Sequence, residues 1–170
     1  EAVLAAAIAH VPFDGWSATT MKAALTDSGI NPALAAALFP RGALDLALAY
    51  HQRGDRRMAE QLAQTDLGSL RFRDRIATAV KARLELADRE LVRRGTTLFS
   101  LPIHAADGAK AIWGTADAIW TALGDKSTDY NWYTKRMTLV AVLGSTLTAW
   151  LGTDEEAQVD AFLDRRIDGV

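Results

Sequence analysis

The fold is decided by residues 129–151, DYNWYTKRMTLVAVLGSTLTAWL. Asp129 is of a type that caps helices, and no charged residue follows between Met137 and Thr153. A membrane-spanning helix needs about 20 predominantly apolar residues, whereas this run is shorter and contains several threonines, a serine and glycines. We therefore predict a helix buried inside the protein, with aromatic and cationic residues in its first two turns.

The composition is that of one ordinary globular domain. Hydrophobic residues make up 49% of the 170 residues and charged residues 24%, which excludes a disordered chain. The net charge of −2 gives no bulk attraction to nucleic acid or to anionic lipid. The chain has no cysteine, so disulfides and thiolate metal sites are excluded. Helix-forming residues dominate and no stretch alternates like a strand, so we predict a single all-α unit over residues 1–170.

Residues 1–41 carry the pattern of a helix-turn-helix subdomain. Ser17 is the predicted cap of a helix that ends near Ser28, and Gly29 is the residue type that stops helices. Asn31 and Pro32 then suit the start of another short helix, which ends near residues 39–40. Two short helices joined by a glycine-containing turn form this motif.

Further helices are predicted from apolar residues that recur every three or four positions. They cover residues 1–10, about 42–65, about 69–91, 107–123 and 129–151, with a last helix from residue 154. The stripe from Leu70 to Leu91 predicts one continuous helix, and the arginines that flank it are interpreted as solvated surface.

Signatures of catalysis are missing. His10, His51 and His104 stand far apart, so no two of them share the helical spacing of a metal-binding pair. Metalloprotease motifs, phosphate-binding loops and the nucleophile motif of hydrolases are absent as well. We predict no catalytic residue, no metal site and no cofactor.

The charges of the helix-turn-helix argue against nucleic acid as a partner. Between Ser17 and Asp45 the charged residues are Lys22, Asp27, Arg41 and Asp45, which sum to zero. The second helix reads PALAAAL and offers no cation to a phosphate and no donor to a base edge. We predict that this motif does not bind DNA.

Three of the five tryptophans lie in the last third of the chain, and Trp113 stands just ahead of it. Trp113, Trp120, Trp132 and Trp150 stand among aliphatic and small residues, and an ordinary helical core would explain them. Trp132 with Tyr133 at the start of a helix is typical of an interface instead, because helix starts lie near the surface. Arg136 adds a planar fork suited to a phosphate or carboxylate at the opening of an apolar cavity.

The segment from Ser127 to Arg136, STDYNWYTKR, closely resembles the COQ9 family of ubiquinone-biosynthesis proteins. Further matching features are Leu-Pro at 101–102, Asp-x-x-Trp at 117–120, Gly-Asp at 124–125 and FLDRRI at 162–167. The resemblance covers most of residues 95–168. The N-terminal half is similar more loosely, through a helix-turn-helix like that of TetR regulators.

The resemblance implies an all-α, TetR/FadR-like bundle in which residues 42–170 bind lipid and dimerise. It implies a non-catalytic accessory protein that binds isoprenoid quinone intermediates or phospholipid and presents them to the COQ7-type demethoxyubiquinone hydroxylase. Trp132 and Tyr133 match the family's partner-binding surface, with Ile119 and Trp120 nearby. Arg136 matches a position associated with phospholipid binding, and Trp113 and Trp120 are its expected apolar companions.

The expected assembly is a homodimer that makes at most transient contact with a membrane surface. The expected location is the cytoplasm in a bacterium, or the matrix side of the inner membrane in a mitochondrion. Two other hypotheses stay open at this point. One is a ligand-responsive transcription regulator of the TetR type, and the other is a purely structural dimerisation module in which Gly144 and Ser145 permit close helix approach.

Overall fold

The structure is a computed structural model that describes residues 1–169. Its helices are α1 (Ala2–Ile8), α2 (Val11–Asp14), α3 (Ala18–Ser28), α4 (Pro32–Leu38), α5 (Ala43–Ala63), α6 (Phe72–Glu85), α7 (Arg89–Phe99), α8 (Ala105–Ala122), α9 (Tyr130–Gly152) and α10 (Glu156–Asp168). A 3₁₀ turn spans Pro102–His104. The described residues contain no strand, which confirms the predicted all-α class.

The chain divides into two compact units. The first unit holds residues 1–53 and 88–108, and the second holds residues 54–87 and those from 109 onward. The division falls within α5 and within α8, so it does not coincide with the predicted boundary after residue 41. Each unit has its own apolar core, centred on residues such as Leu4, Trp16 and Leu46 in the first and Met58, Ile119 and Leu163 in the second.

Both helices of the predicted helix-turn-helix form where the caps indicated. The Ser17 hydroxyl accepts a hydrogen bond from the backbone N–H of Thr20, and Gly29 ends α3 in the left-handed conformation at φ 68°. The Asn31 side chain caps α4 by accepting from the backbone N–H of Ala33 at 2.8 Å. The two helices and their caps are therefore confirmed, whereas their arrangement as a helix-turn-helix and its likeness to TetR regulators stay predictions.

The continuous helix predicted over residues 69–91 is wrong. The chain leaves the helical path after Glu85 and restarts at Arg89, with Asp88 as the new cap. The Asp88 carboxylate accepts from the backbone N–H groups of Glu90 and Leu91 at 2.9 and 3.0 Å. A capping aspartate satisfies N–H groups that a new helix leaves free, and this local signal outweighs an apolar stripe that continues across the break.

Two helix ends also differ from the sequence prediction. The first helix ends at Ile8 rather than near residue 10, and the short helix α2 begins at Val11 with Pro12 in its first turn. A proline is well tolerated in a first helical turn, where its missing N–H has no partner to lose. The last helix begins at Glu156, two residues after the predicted start.

Helix α9 is buried along one face only. Its buried positions are Arg136, Leu139, Val142, Thr146 and Trp150, which recur at helical spacing. Met137, Ala141 and Thr148 lie exposed on the rest of its surface. The prediction of a helix inside the protein therefore holds for one face.

No single helix of residues 1–169 has the length and apolar character of a membrane span. The helix pair α4 and α5, bent by 62°, meets that criterion when the two are taken together, on length and composition alone.

Polar contacts fix the position of α8 within the second unit. The Asp55 carboxylate on α5 accepts from the Arg83 Nε of α6 and from the Thr115 hydroxyl of α8, both at 2.8 Å. One partly buried carboxylate thus ties three helices together. This tie places the face of α8 that carries Trp113, Asp117 and Trp120 beside the start of α9.

Candidate partner-binding surface

The candidate site is built around the first two turns of α9 and the facing side of α8. Asp129 caps α9 by accepting from the backbone N–H of Asn131 at 3.0 Å. The cap fixes the point at which the helix begins, and so fixes the direction in which Trp132, Tyr133 and Arg136 leave it.

Arg136 is the most buried charged residue of this site, with 2% of its side chain exposed. Its Nε donates to the Asp117 carboxylate at 2.7 Å, and its Nη1 donates to the Asp125 carboxylate at 3.0 Å. Nη1 also lies 3.2 Å from the backbone carbonyl of Trp132, within hydrogen-bond distance. The guanidinium therefore links α8, the α8–α9 connection and α9.

Asp125 forms salt bridges with both cations of this network, Lys135 and Arg136. Its side chain is 4% exposed and accepts from Lys135 Nζ at 2.8 Å, from the Ser127 hydroxyl at 2.7 Å and from Arg136. The hydrogen bonds from Lys135 and Ser127, with that from Arg136, hold the pKa of Asp125 well below its ordinary value against the opposing effect of desolvation. A doubly bridged carboxylate thus orders the connection between the two helices.

The aromatic side chains form a cluster on top of this network, which we call the aromatic platform: Trp113, Trp132 and Tyr133. The Trp132 ring lies 5.8 Å from that of Trp113 and 4.8 Å from that of Tyr133, in an edge-to-face arrangement with the latter. The Arg136 guanidinium sits 4.1 Å from the centre of the Trp132 ring, a distance typical of a cation–π contact. Tyr133 keeps 60% of its surface exposed.

Two of the residues predicted to bind a partner lie below this surface. Ile119 is fully buried in the core of the second unit, and Trp120 is buried with its indole N–H donating to the backbone carbonyl of Lys135. Contact with a partner is therefore open to Tyr133 and to the partly exposed Trp132. Trp120 supports the start of α9 from inside through that hydrogen bond, and Ile119 belongs to the core.

The residues predicted to bind lipid lie outside the one groove that is described in the second unit. A groove of about 400 Å³ between α5 and α8 is lined mainly by small residues, including Ala59, Gly114 and Ala118. Neither Trp113, Trp120 nor Arg136 lines it. A phosphate approaching Arg136 would have to compete with Asp117 and Asp125 for the guanidinium, so the predicted role of Arg136 in lipid binding stays a prediction.

Sequence reasoning missed the two carboxylates that hold Arg136. Asp117 and Asp125 stand 19 and 11 residues before it, too far for any helical pairing rule. The signal that was available is their presence in the Asp-x-x-Trp and Gly-Asp features quoted above. We also note that residues 1–169 contain no group of three or more His, Asp or Glu side chains placed to hold a metal ion.

The depressed pKa of Asp125 predicts an acid-sensitive contribution to stability. Its folded pKa lies below the ordinary value of about 3.9, so the ionised carboxylate favours the folded state. That contribution is complete above about pH 4 and is lost as the pH falls further toward the folded pKa. Urea unfolding of the wild type and of Asp125→Asn should show a difference in unfolding free energy that shrinks between pH 7 and pH 3. A difference that does not change over this range would contradict the assignment.

Comparisons with known proteins show which proteins this chain is similar to. Residues 105–170, which include all the residues of the site, match the model of the COQ9 family. The chain is 29% identical to the mitochondrial ubiquinone biosynthesis protein COQ9 of Drosophila melanogaster, over 98% of this chain and 53% of that protein. The corresponding human protein is 28% identical over 85% of this chain and 48% of its own length.

A probable COQ9 protein of Dictyostelium discoideum is 25% identical over 98% of this chain and 57% of its own length. The chain thus spans about half the length of the curated relatives it matches. Over that span the similarity to COQ9 proteins runs through nearly the whole chain, and it confirms the resemblance to the COQ9 family that the DYNWYTKR motif indicated.

Proposed function

We propose that this chain is a non-catalytic accessory protein of ubiquinone biosynthesis, which docks a COQ7-type hydroxylase on the aromatic platform. The relatives it resembles are named as ubiquinone biosynthesis proteins of mitochondria. That similarity supports a place of action in the mitochondrion. Its role there is to bring an isoprenoid quinone intermediate or phospholipid to the hydroxylase, with transient contact to a membrane surface.

The observation that carries this proposal is an exposed aromatic surface on a rigid base. Tyr133 is largely exposed, and Met137 lies exposed one turn further along α9. Beneath them Arg136 is locked between two carboxylates and stacked on Trp132. Exposed aromatic and methionine side chains on an ordered base are typical of interface hot spots.

The lipid part of the proposal is tested by identifying the apolar molecules that co-purify with the protein. A long isoprenoid chain gains roughly 25 cal/mol for each Å² of apolar surface removed from water, so a carrier should retain its cargo through a gentle purification. We expect native mass spectrometry of the full-length protein from its own cells to release an isoprenoid quinone intermediate or a phospholipid. Preparations free of any apolar ligand at every stoichiometry would contradict lipid carriage while leaving the docking proposal untouched.

We also propose a homodimer that pairs through the exposed face of α9. This face is uncharged and carries Met137, Ala141 and Thr148, with Gly144 beside them. A Cβ atom added at Gly144 would meet no atom within 4 Å, so the helix offers open space there. Small residues on such a face permit a partner helix to approach closely.

The dimer proposal predicts that Gly144→Trp produces a folded monomer. The position is open at the Cβ within the protomer, and the bulky indole keeps the partner helix away. Sedimentation should report the monomer mass and circular dichroism an unchanged helical content. Gly114→Trp, at a helical glycine of α8 that also has open space, serves as the control and should stay dimeric. A dimer that survives Gly144→Trp means that α9 does not form the interface.

The comparisons lend no support to the alternative of a TetR-type transcription regulator. The exposed surface of α4 also lacks what DNA recognition needs, since Leu34 and Leu38 are its large exposed side chains and the helix carries no charge.

A further inference from the structure

The first unit contains a larger groove that the proposed function does not use. It has a volume of about 1020 Å³ and runs between α3, the α3–α4 turn, the start of α5, Leu98 of α7 and His104 of the 3₁₀ turn. Ligand pockets in proteins commonly measure about 300–1,000 Å³. The groove is therefore large enough to hold a molecule with a long apolar chain.

The floor of the groove is apolar. Trp16 and Leu44 are buried beneath it, and Met21, Leu25 and Leu98 are partly buried along it. Trp16 is held in place by a hydrogen bond from its indole N–H to the backbone carbonyl of Leu91 at 3.1 Å. A fixed aromatic floor of this kind favours an apolar ligand, because its surface is removed from water without any rearrangement.

The charged side chains at the edge of the groove are all basic. Lys22 and Arg41 line it together with His104, and none of the described lining residues is acidic. Arg41 is already paired with Asp45 at 3.1 Å and with Asp107 at 2.9 Å, which anchors the start of α5. Lys22 lies exposed on α3 at the edge of the apolar floor, so its ammonium is the group placed to meet an anion.

We infer that this groove binds an amphipathic anion, a single long apolar chain that ends in a carboxylate or a phosphate. The chain lies on the floor made by Trp16, Leu44 and their neighbours, and the anionic end meets Lys22 at the edge. This site belongs entirely to the first unit and shares no residue with the aromatic platform.

The test follows each tryptophan separately. The chain has five tryptophans, so labelling the full-length protein with 5-fluorotryptophan gives one fluorine NMR signal for each of them, and Trp16→Phe assigns that of Trp16. Myristate and dodecyl phosphate, added below their critical micelle concentrations, should each shift the Trp16 signal. Acetate and inorganic phosphate, which lack the chain, should leave it in place, and tetradecanol, which lacks the charge, should act more weakly than myristate.

Two pairs of variants locate the site. Lys22→Glu should weaken myristate binding by about tenfold or more, since it puts a like charge at the anionic end, whereas Lys110→Glu should not change it. Ala18→Phe, at an exposed lining position, should block the groove, whereas Thr19→Phe, exposed but outside the lining, should not.

Three results would overturn the inference. The first is a Trp16 signal that neither anion shifts. The second is binding that Lys22→Glu and Ala18→Phe leave unchanged. The third is a response confined to the tryptophans of the second unit, which would place the ligand there and would favour the lipid part of the proposed function instead.

Discussion

Replacing Arg136 by methionine should lower the free energy of unfolding by about 3 kcal/mol, the usual cost of breaking a buried ion pair from one side. The substitution leaves the buried Asp125 carboxylate without one of its cations and frees Asp117 from its 2.7 Å contact. It also removes the cation beneath the Trp132 ring. The link between α8 and the start of α9 therefore loses its main polar contact.

Urea unfolding at neutral pH measures this effect directly. Arg165→Met is the matched control, because Arg165 is exposed on α10, where substitutions usually change stability by less than about 0.5 kcal/mol. Arg136→Lys should fall between the two, since a single ammonium lacks the planar fork that meets two carboxylates at once. If Arg136→Met unfolds at the same urea concentration as Arg165→Met, the network does not hold the site together.

Replacing Tyr133 by lysine should weaken binding to the COQ7-type hydroxylase by about 30-fold or more, which corresponds to a hot-spot loss of about 2 kcal/mol. Tyr133 is the exposed ring of the aromatic platform, in contact with Trp132 and 6.4 Å from the Trp113 ring. Because its side chain is 60% exposed, the substitution should leave the stability of the free protein nearly unchanged. Trp132→Lys is a less specific probe, since Trp132 also stacks on Arg136.

Tyr130→Lys is the control for this measurement. Tyr130 is 82% exposed on the first turn of the same helix, and none of the described ring contacts involves it. The two variants change the same residue type, three positions apart, into the same lysine. Calorimetric titration should show a loss of affinity for Tyr133→Lys only. Equal losses would mean that the added charge, and not the platform, determines binding.

The sequence predicted those parts of the fold that depend on local signals. Caps such as Ser17 and Asn31 indicated α3 and α4, and the uncharged run after Met137 indicated α9. The break between α6 and α7 was missed for a physical reason. Asp88 caps the start of α7 by accepting from two backbone N–H groups, while the apolar spacing continues across the break.

The candidate site was predictable in its residue types and not in its contacts. Trp132, Tyr133, Lys135 and Arg136 lie within five positions of the sequence, so their presence in the first two turns of one helix was predictable directly. The partners of Arg136 come from another helix and from a connection, and no spacing rule joins them. For that reason the sequence suggested an arginine free to bind an anion, whereas the structure shows one that is held by two carboxylates.

The measurement that tests the central claim most directly is the ubiquinone content of cells that lack their own COQ9-type protein. Such cells receive the full-length protein as wild type, Tyr133→Lys or Tyr130→Lys at matched levels. We predict that wild type and Tyr130→Lys restore ubiquinone, whereas Tyr133→Lys leaves demethoxyubiquinone to accumulate. Full restoration by Tyr133→Lys would contradict a function that works through the aromatic platform.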